Sequence, residues 1–117
     1  MKRESKGMKI AIATLGDKGL QDTVSPEFGH SKTFTIVEIE DGKVKNVEVM
    51  NNPAEGLTHK RGPVIAKRLA NKGVGMVISG EIGPGASRAL EQLGIRMLIV
   101  RPGHSVKDVL REQGLIA

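Results

Sequence analysis

The chain contains no cysteine, no tryptophan and no tyrosine, and only two phenylalanines among its 117 residues. Without cysteine there is no disulfide framework, no Cys-ligated zinc, no thiol nucleophile and no four-Cys iron–sulfur ligation. Two aromatic rings are too few for the stacking platforms that hold single-stranded nucleic acid. Long apolar runs are missing as well, and none approaches the roughly 20 residues needed to span a bilayer. The basic segment Met1–Gly7 lacks the apolar stretch of a signal peptide. These absences predict a soluble, cytoplasmic protein with no membrane partner.

Apolar residues make up 38% of the chain, drawn almost wholly from Val, Ile, Leu, Ala and Met, enough for the core of one domain. The net charge is +5, and Lys2, Arg3 and Lys6 against Glu4 put +2 of it in the first seven residues. Elsewhere both signs are interspersed, the pattern of a solvated surface rather than a nucleic-acid footprint. Residues 1–7 are expected to be a flexible N-terminal extension and residues 8–117 a single domain.

Met8–Thr14 is short, apolar and ended by Leu15-Gly16-Asp17, so it reads as a buried strand. Leu15 to Lys32 is a long connection, of a length that is either disordered or functional. Thr33–Glu40 and Lys43–Met50 are β-rich runs joined by Asp41-Gly42, a strong hairpin signal. Gly62–Lys72 reads as a helix with Pro63 at its first position, Ile65 and Leu69 on one face and Gly73 as its stop. Val74–Ser79 is a strand, Pro84–Leu93 a helix stopped by Gly94, and Ile95–Val100 a strand. A last helix starts at the capping-box-like Ser105-Val106-Lys107-Asp108 and ends near Gly114. The order β-β-β-α-β-α-β-α predicts an α/β fold, a five-stranded mixed sheet flanked by about three helices, with right-handed parallel crossovers. Ligands of such sheets bind beyond the carboxyl ends of parallel strands. That rule selects the loops after Thr14 and Ser79 and the helix starts near Gly62 and Pro84.

Three loops hold the candidate residues. In Ser79-Gly80-Glu81-Ile82-Gly83-Pro84-Gly85-Ala86, the glycines let backbone approach a ligand, and the helix start offers free N–H groups to an anion. The same residues also suit an ordinary strand-to-helix turn, with Glu81 as a cap of the coming helix or an inward ligand. Thr58-His59-Lys60-Arg61-Gly62 places an imidazole and two cations ahead of a helix N-terminus, or equally forms a solvated basic loop. In Ser25-Pro26-Glu27-Phe28-Gly29-His30, Glu27 and His30 are three apart and could share a metal, while Phe28 anchors the loop to the core. His104 reads as a surface or capping residue. No Walker A loop, Gly-x-Ser-x-Gly elbow or His-x-x-x-His pair is present.

Ser25-Pro26-Glu27-Phe28-Gly29, Asn52-Pro53, His59 with Gly62-Pro63, and Gly80-Glu81-Ile82-Gly83-Pro84 together resemble the dinitrogenase iron–molybdenum cofactor biosynthesis family. That family comprises NifX-like proteins, the cofactor-binding domain of NafY and the C-terminal part of NifB, and the resemblance runs from Met8 to about Gly114. It implies a ribonuclease H-like three-layer fold and a non-enzymatic role, the transient binding or delivery of iron–sulfur or iron–molybdenum cluster precursors. Protein partners in cofactor assembly are implied too. Family members commonly carry His before the Phe-Gly; here Glu27 stands there and His30 follows, which makes His59 the first choice of metal ligand, with His30 and Glu27 behind it. Lys60, Arg61, Gly62, Gly80, Glu81, Gly83 and Gly85 are the expected ligand-binding residues. Nucleases of this fold use clustered carboxylates to hold two metal ions. The first strand carries no acid, which disfavours such an activity. An enzyme or sensor for a phosphate-bearing metabolite, or a protein-interaction module, are the alternatives.

Overall fold

The Asp41-Gly42 pair turns the chain as its residue types require, with φ of 54° and 74°, the positive pair that matches the twist of a two-residue hairpin. In the computed structural model, which describes residues 7–117, this turn joins β2 (Thr33–Glu40) to β3 (Lys43–Asn51), with a register shift at Glu38/Ile39. The expected N-terminal extension, Gly7 apart, lies outside the described residues.

The strand β1 (Met8–Thr14) is central: antiparallel to β2 from Met8↔Ile39 to Thr14↔Thr33, and parallel to β4 (Met76–Ser79) through Ile12↔Ile78. Strand β5 (Arg96–Ile99) extends the sheet in parallel, giving the order β3-β2-β1-β4-β5. Covered on both faces, β1 reads as a continuous apolar run rather than an alternating one, and Ile10, Ala11, Ile12 and Ala13 are all buried.

Helices α1 (Arg61–Asn71) and α2 (Pro84–Gln92) cover one face, packing Ile65, Leu69 and Leu90 with Ala11, Ala13, Phe34, Ile36 and Val77. Helix α3 (Val106–Glu112) covers the other, setting Val106, Val109 and Leu110 with Ile10, Ile12, Val37 and Ile78. The result is the expected five-stranded mixed sheet between helical layers. Ser105 caps α3 as its spacing predicts, its Oγ accepting from the Asp108 N–H at 3.1 Å. No helix among the described residues is long and apolar enough to cross a membrane.

Two boundaries differ from expectation for a shared reason. Val74 and Ile95 fall before their strands because their N–H groups close the preceding helices, donating to Leu69 O (3.1 Å) and Leu90 O (2.9 Å). Gly73 and Gly94 take the left-handed conformation that this closure needs, at φ 83° and 73°. At its other end α1 begins at Arg61, so Pro63 is its third residue rather than its first. Proline is harmless there, because the opening N–H groups of a helix have no intrahelical acceptor.

The long connection after β1 is ordered by hydrogen bonds. After a single 3-10 turn at Gly19–Gln21, buried Asp22 accepts from the N–H groups of Lys18 (2.8 Å) and Thr23 (2.7 Å). Ser25 then donates to Ala13 O (2.8 Å), while its own carbonyl accepts from Gly80 N–H (3.0 Å). Residues 24–27 therefore wedge between the carboxyl ends of β1 and β4, which is where the candidate residues collect.

Candidate functional site

The wedge ends in a parallel bridge between Glu27 and Glu81, in which Glu81 N–H donates to Pro26 O (2.6 Å) and Phe28 N–H to Glu81 O (2.9 Å). Gly80 makes this approach possible, since a β-carbon there would lie 2.5 Å from the Pro26 carbonyl oxygen. Phe28 is buried edge-on against Phe34, with ring centroids 5.2 Å apart and planes at 62°. That anchor turns Glu27, Gly29 and His30 outward as one wall of a cavity of about 420 Å³.

The second wall is the start of α1, residues Lys60, Arg61, Gly62 and Pro63. Lys60 is exposed and left-handed, at φ 60°. Arg61 is committed to backbone carbonyls: its Nε donates to Gly29 O (2.8 Å) and its Nη1 to Ala54 O (3.0 Å) and Leu57 O (2.8 Å). Asn52, buried beneath, donates through Nδ2 to Gly29 O (3.1 Å) and Ser31 O (2.7 Å) and accepts from the Ala54 N–H (2.8 Å).

The third wall is Glu81 with Gly83, Gly85 and Ala86 at the start of α2. Gly83, in extended conformation, is the N-cap residue, so Glu81 does not cap the helix; it is exposed and lines the cavity. Among the described residues, neither N-cap residue, Lys60 of α1 or Gly83 of α2, supplies a side-chain cap. The first-turn N–H groups of both are left for solvent or for an anion, with the positive ends of two helix dipoles behind them.

Glu27, His30, Lys60, Arg61, Gly62, Glu81, Gly83 and Gly85 thus line one cavity, although they come from three loops. Gly80 sits beneath it, where its missing side chain admits Pro26. His59 is not in the lining; it is exposed, with Nδ1 3.1 Å from Thr58 Oγ1. His104 lies away from the cavity, its Nδ1 3.9 Å from Glu112 Oε2 beside α3. The sequence placed Pro63 and Ala86 in the candidate loops without a binding role, though both line the cavity, and offered Asn52 as turn chemistry and as part of the family resemblance, not as a support of the wall. The signal for Asn52 was its place two residues beyond the run Lys43–Met50, where an amide can bond neighbouring backbone.

The donor set does not fit a resident metal centre. Among the described residues no three His, Asp or Glu side chains converge to hold an ion, and cysteine is absent. The cavity instead combines a carboxylate pair, one imidazole, one free ammonium and two helix N-termini.

Comparison with known proteins bears on the fold and the family. An uncharacterised protein of Methanocaldococcus jannaschii is 41% identical over 90 residues, which are 77% of this chain and 72% of that one. The apo form of the orange protein from Desulfovibrio gigas superposes with a TM-score of 0.81 at 28% identity, over 97% of this chain and 94% of that one. A candidate NifB protein from Thermotoga superposes with a TM-score of 0.74 at 27% identity, over 92% and 87%. The family model described as dinitrogenase iron-molybdenum cofactor matches residues 8–113, from the first strand through the last helix and including every wall of the cavity. The chain belongs to the dinitrogenase iron–molybdenum cofactor family.

Proposed function

We propose that the protein is a non-enzymatic carrier that binds an iron–sulfur or iron–molybdenum cluster precursor in this cavity and passes it on during cytoplasmic cofactor assembly. The observation that supports this reading is the pairing of opposite electrostatic characters around one space. Two uncapped helix N-termini and Lys60 attract negative charge, while Glu27 and Glu81, side by side in their bridge, repel it. A simple phosphate gains on one wall and loses on the other. A metal–sulfur cluster suits both, because its sulfides accept from backbone N–H groups and its metal ions accept carboxylate or imidazole donors. His30 is the imidazole in reach of the cargo.

Without thiolates the grip is weak and reversible, as a carrier requires. Anaerobic reconstitution with iron, sulfide and molybdate tests the reading. The expected result is a chromophore that co-elutes with the protein, reduced several-fold in Glu27→Gln, Glu81→Gln and His30→Ala, and less affected in His59→Ala. A protein that stays colourless while sugar phosphates or nucleotides raise its melting temperature would overturn it in favour of a phosphate-metabolite site. If neither stabilises it and a specific protein is recovered in pull-downs, the domain is an interaction module.

A further inference from the structure

We propose that Arg61 is the positioning residue of the cavity, holding its loop walls on the N-terminus of α1, and that the cation facing the cargo is Lys60. Both are basic and adjacent, and both line the cavity. Their hydrogen bonding separates them. Arg61 spends three donors on backbone carbonyls: Gly29 O, 32 residues away in the chain, and Ala54 O and Leu57 O in the loop before α1. A guanidinium has five N–H donors in a rigid fork, so one side chain can bind two segments at fixed spacing, which an ammonium cannot do. Asn52 closes the arrangement from below, because its amide bonds the same Gly29 carbonyl and the Ala54 N–H. Gly29 O therefore receives two donors, from Arg61 and Asn52, and the residues on either side of Gly29 are the buried Phe28 and the cavity-facing His30. The Lys60 carbonyl accepts from the Val64 N–H (3.4 Å), but its ammonium makes no hydrogen bond or ion pair among the described residues and is exposed.

What binds in the cavity rests on the proposed function; how the cavity is held does not. The test compares Arg61→Ala, Arg61→Lys and Lys60→Ala by amide hydrogen exchange and by chromophore bound after anaerobic reconstitution with iron, sulfide and molybdate. In both Arg61 variants exchange should rise at least tenfold at the amides of residues 29–31 and 54–57 while β1 and β4 stay protected, and bound chromophore should fall. Lysine keeps the charge but not the fork, so Arg61→Lys should not rescue either reading. Lys60→Ala should lose chromophore with exchange at those loops unchanged. The proposal is overturned if Arg61→Lys exchanges and binds like the parent protein, or if Arg61→Ala loses chromophore without loosening either loop. Should the parent protein bind no chromophore, the carrier reading fails, while the exchange comparison still decides the role of Arg61.

Discussion

Gly62 of α1 lies so close to Ala86 of α2 that a β-carbon on Gly62 would sit 2.6 Å from the Ala86 Cβ, 2.7 Å from its Cα and 2.8 Å from its backbone nitrogen. The two helices therefore meet at their first turns, which brings two positive dipole ends to one place. Such an arrangement concentrates positive potential on one side of the cavity that Glu27 and Glu81 also line.

Gly62→Ala tests that contact. Alanine favours a helix over glycine by up to about 1 kcal/mol, but here the added methyl meets backbone that no rotamer change can move. Overpacking of about 1–3 kcal/mol prevails. We expect a lower urea midpoint at unchanged m-value, and only partial recovery in Gly62→Ala/Ala86→Gly, since the Cα and nitrogen contacts remain. A variant as stable as the parent would show that the helices separate freely.

Lys60 separates stability from function. It occupies the left-handed region at φ 60°, where a β-carbon costs about 1 kcal/mol or more that glycine avoids. Its side chain forms no cap on α1. Lys60→Gly is expected to be as stable as the parent or up to about 1 kcal/mol more stable, while binding several-fold less chromophore on reconstitution. Thermal melts and the absorbance of the reconstituted protein read the two effects separately. Destabilisation beyond about 1 kcal/mol would mean that the lysine stem packs.

Ser79 makes the opposite kind of test. Its hydroxyl is fully buried at the end of β4 without a hydrogen-bond partner among the described residues. By alternation along the strand it shares the face of Val77, beneath α1 and α2. An unmatched buried hydroxyl costs about 1–3 kcal/mol in lost hydration, so Ser79→Ala should be neutral or stabilising by up to about 1 kcal/mol in chemical denaturation. A loss of more than 1 kcal/mol would show that the hydroxyl is bonded in solution.

Elements whose cause is local were legible in the sequence. Asp41-Gly42 named its own turn, the apolar run Met8–Thr14 named a strand covered on both sides, and Gly73, Gly94 and Gly114 marked helix ends. The strand starts at Val74 and Ile95 were misplaced because one residue serves either as strand or as helix closure, and only the hydrogen bond from its N–H decides. The order within residues 15–32 was not legible, because it depends on bonds between distant backbone groups, such as Ser25 to Ala13 and Gly80 to Ser25. At the candidate site, glycine and helix-start chemistry pointed to loops that meet around one cavity. Residue type could not show that Arg61 answers carbonyls while Lys60 stays free, nor that the wall would hold His30 and leave out His59.

Asn52 is the strongest remaining test of how the site is supported. Its side chain makes three bonds, to Gly29 O, Ser31 O and the Ala54 N–H, and is buried. Asn52→Ala strands a carbonyl and an N–H in the interior, for a loss of about 3 kcal/mol. Asn52→Asp should cost at least as much: it keeps the acceptor for Ala54 but turns a carboxylate oxygen toward two carbonyls. Because Asn52 and Arg61 hold the same Gly29 carbonyl, their effects should not add. Once one is removed the wall is already loose, and removing the other costs less. Urea denaturation of the two single variants and of Asn52→Ala/Arg61→Ala should give a double-variant loss below the sum by more than about 0.5 kcal/mol. Simple additivity would mean that the two residues support separate parts of the wall.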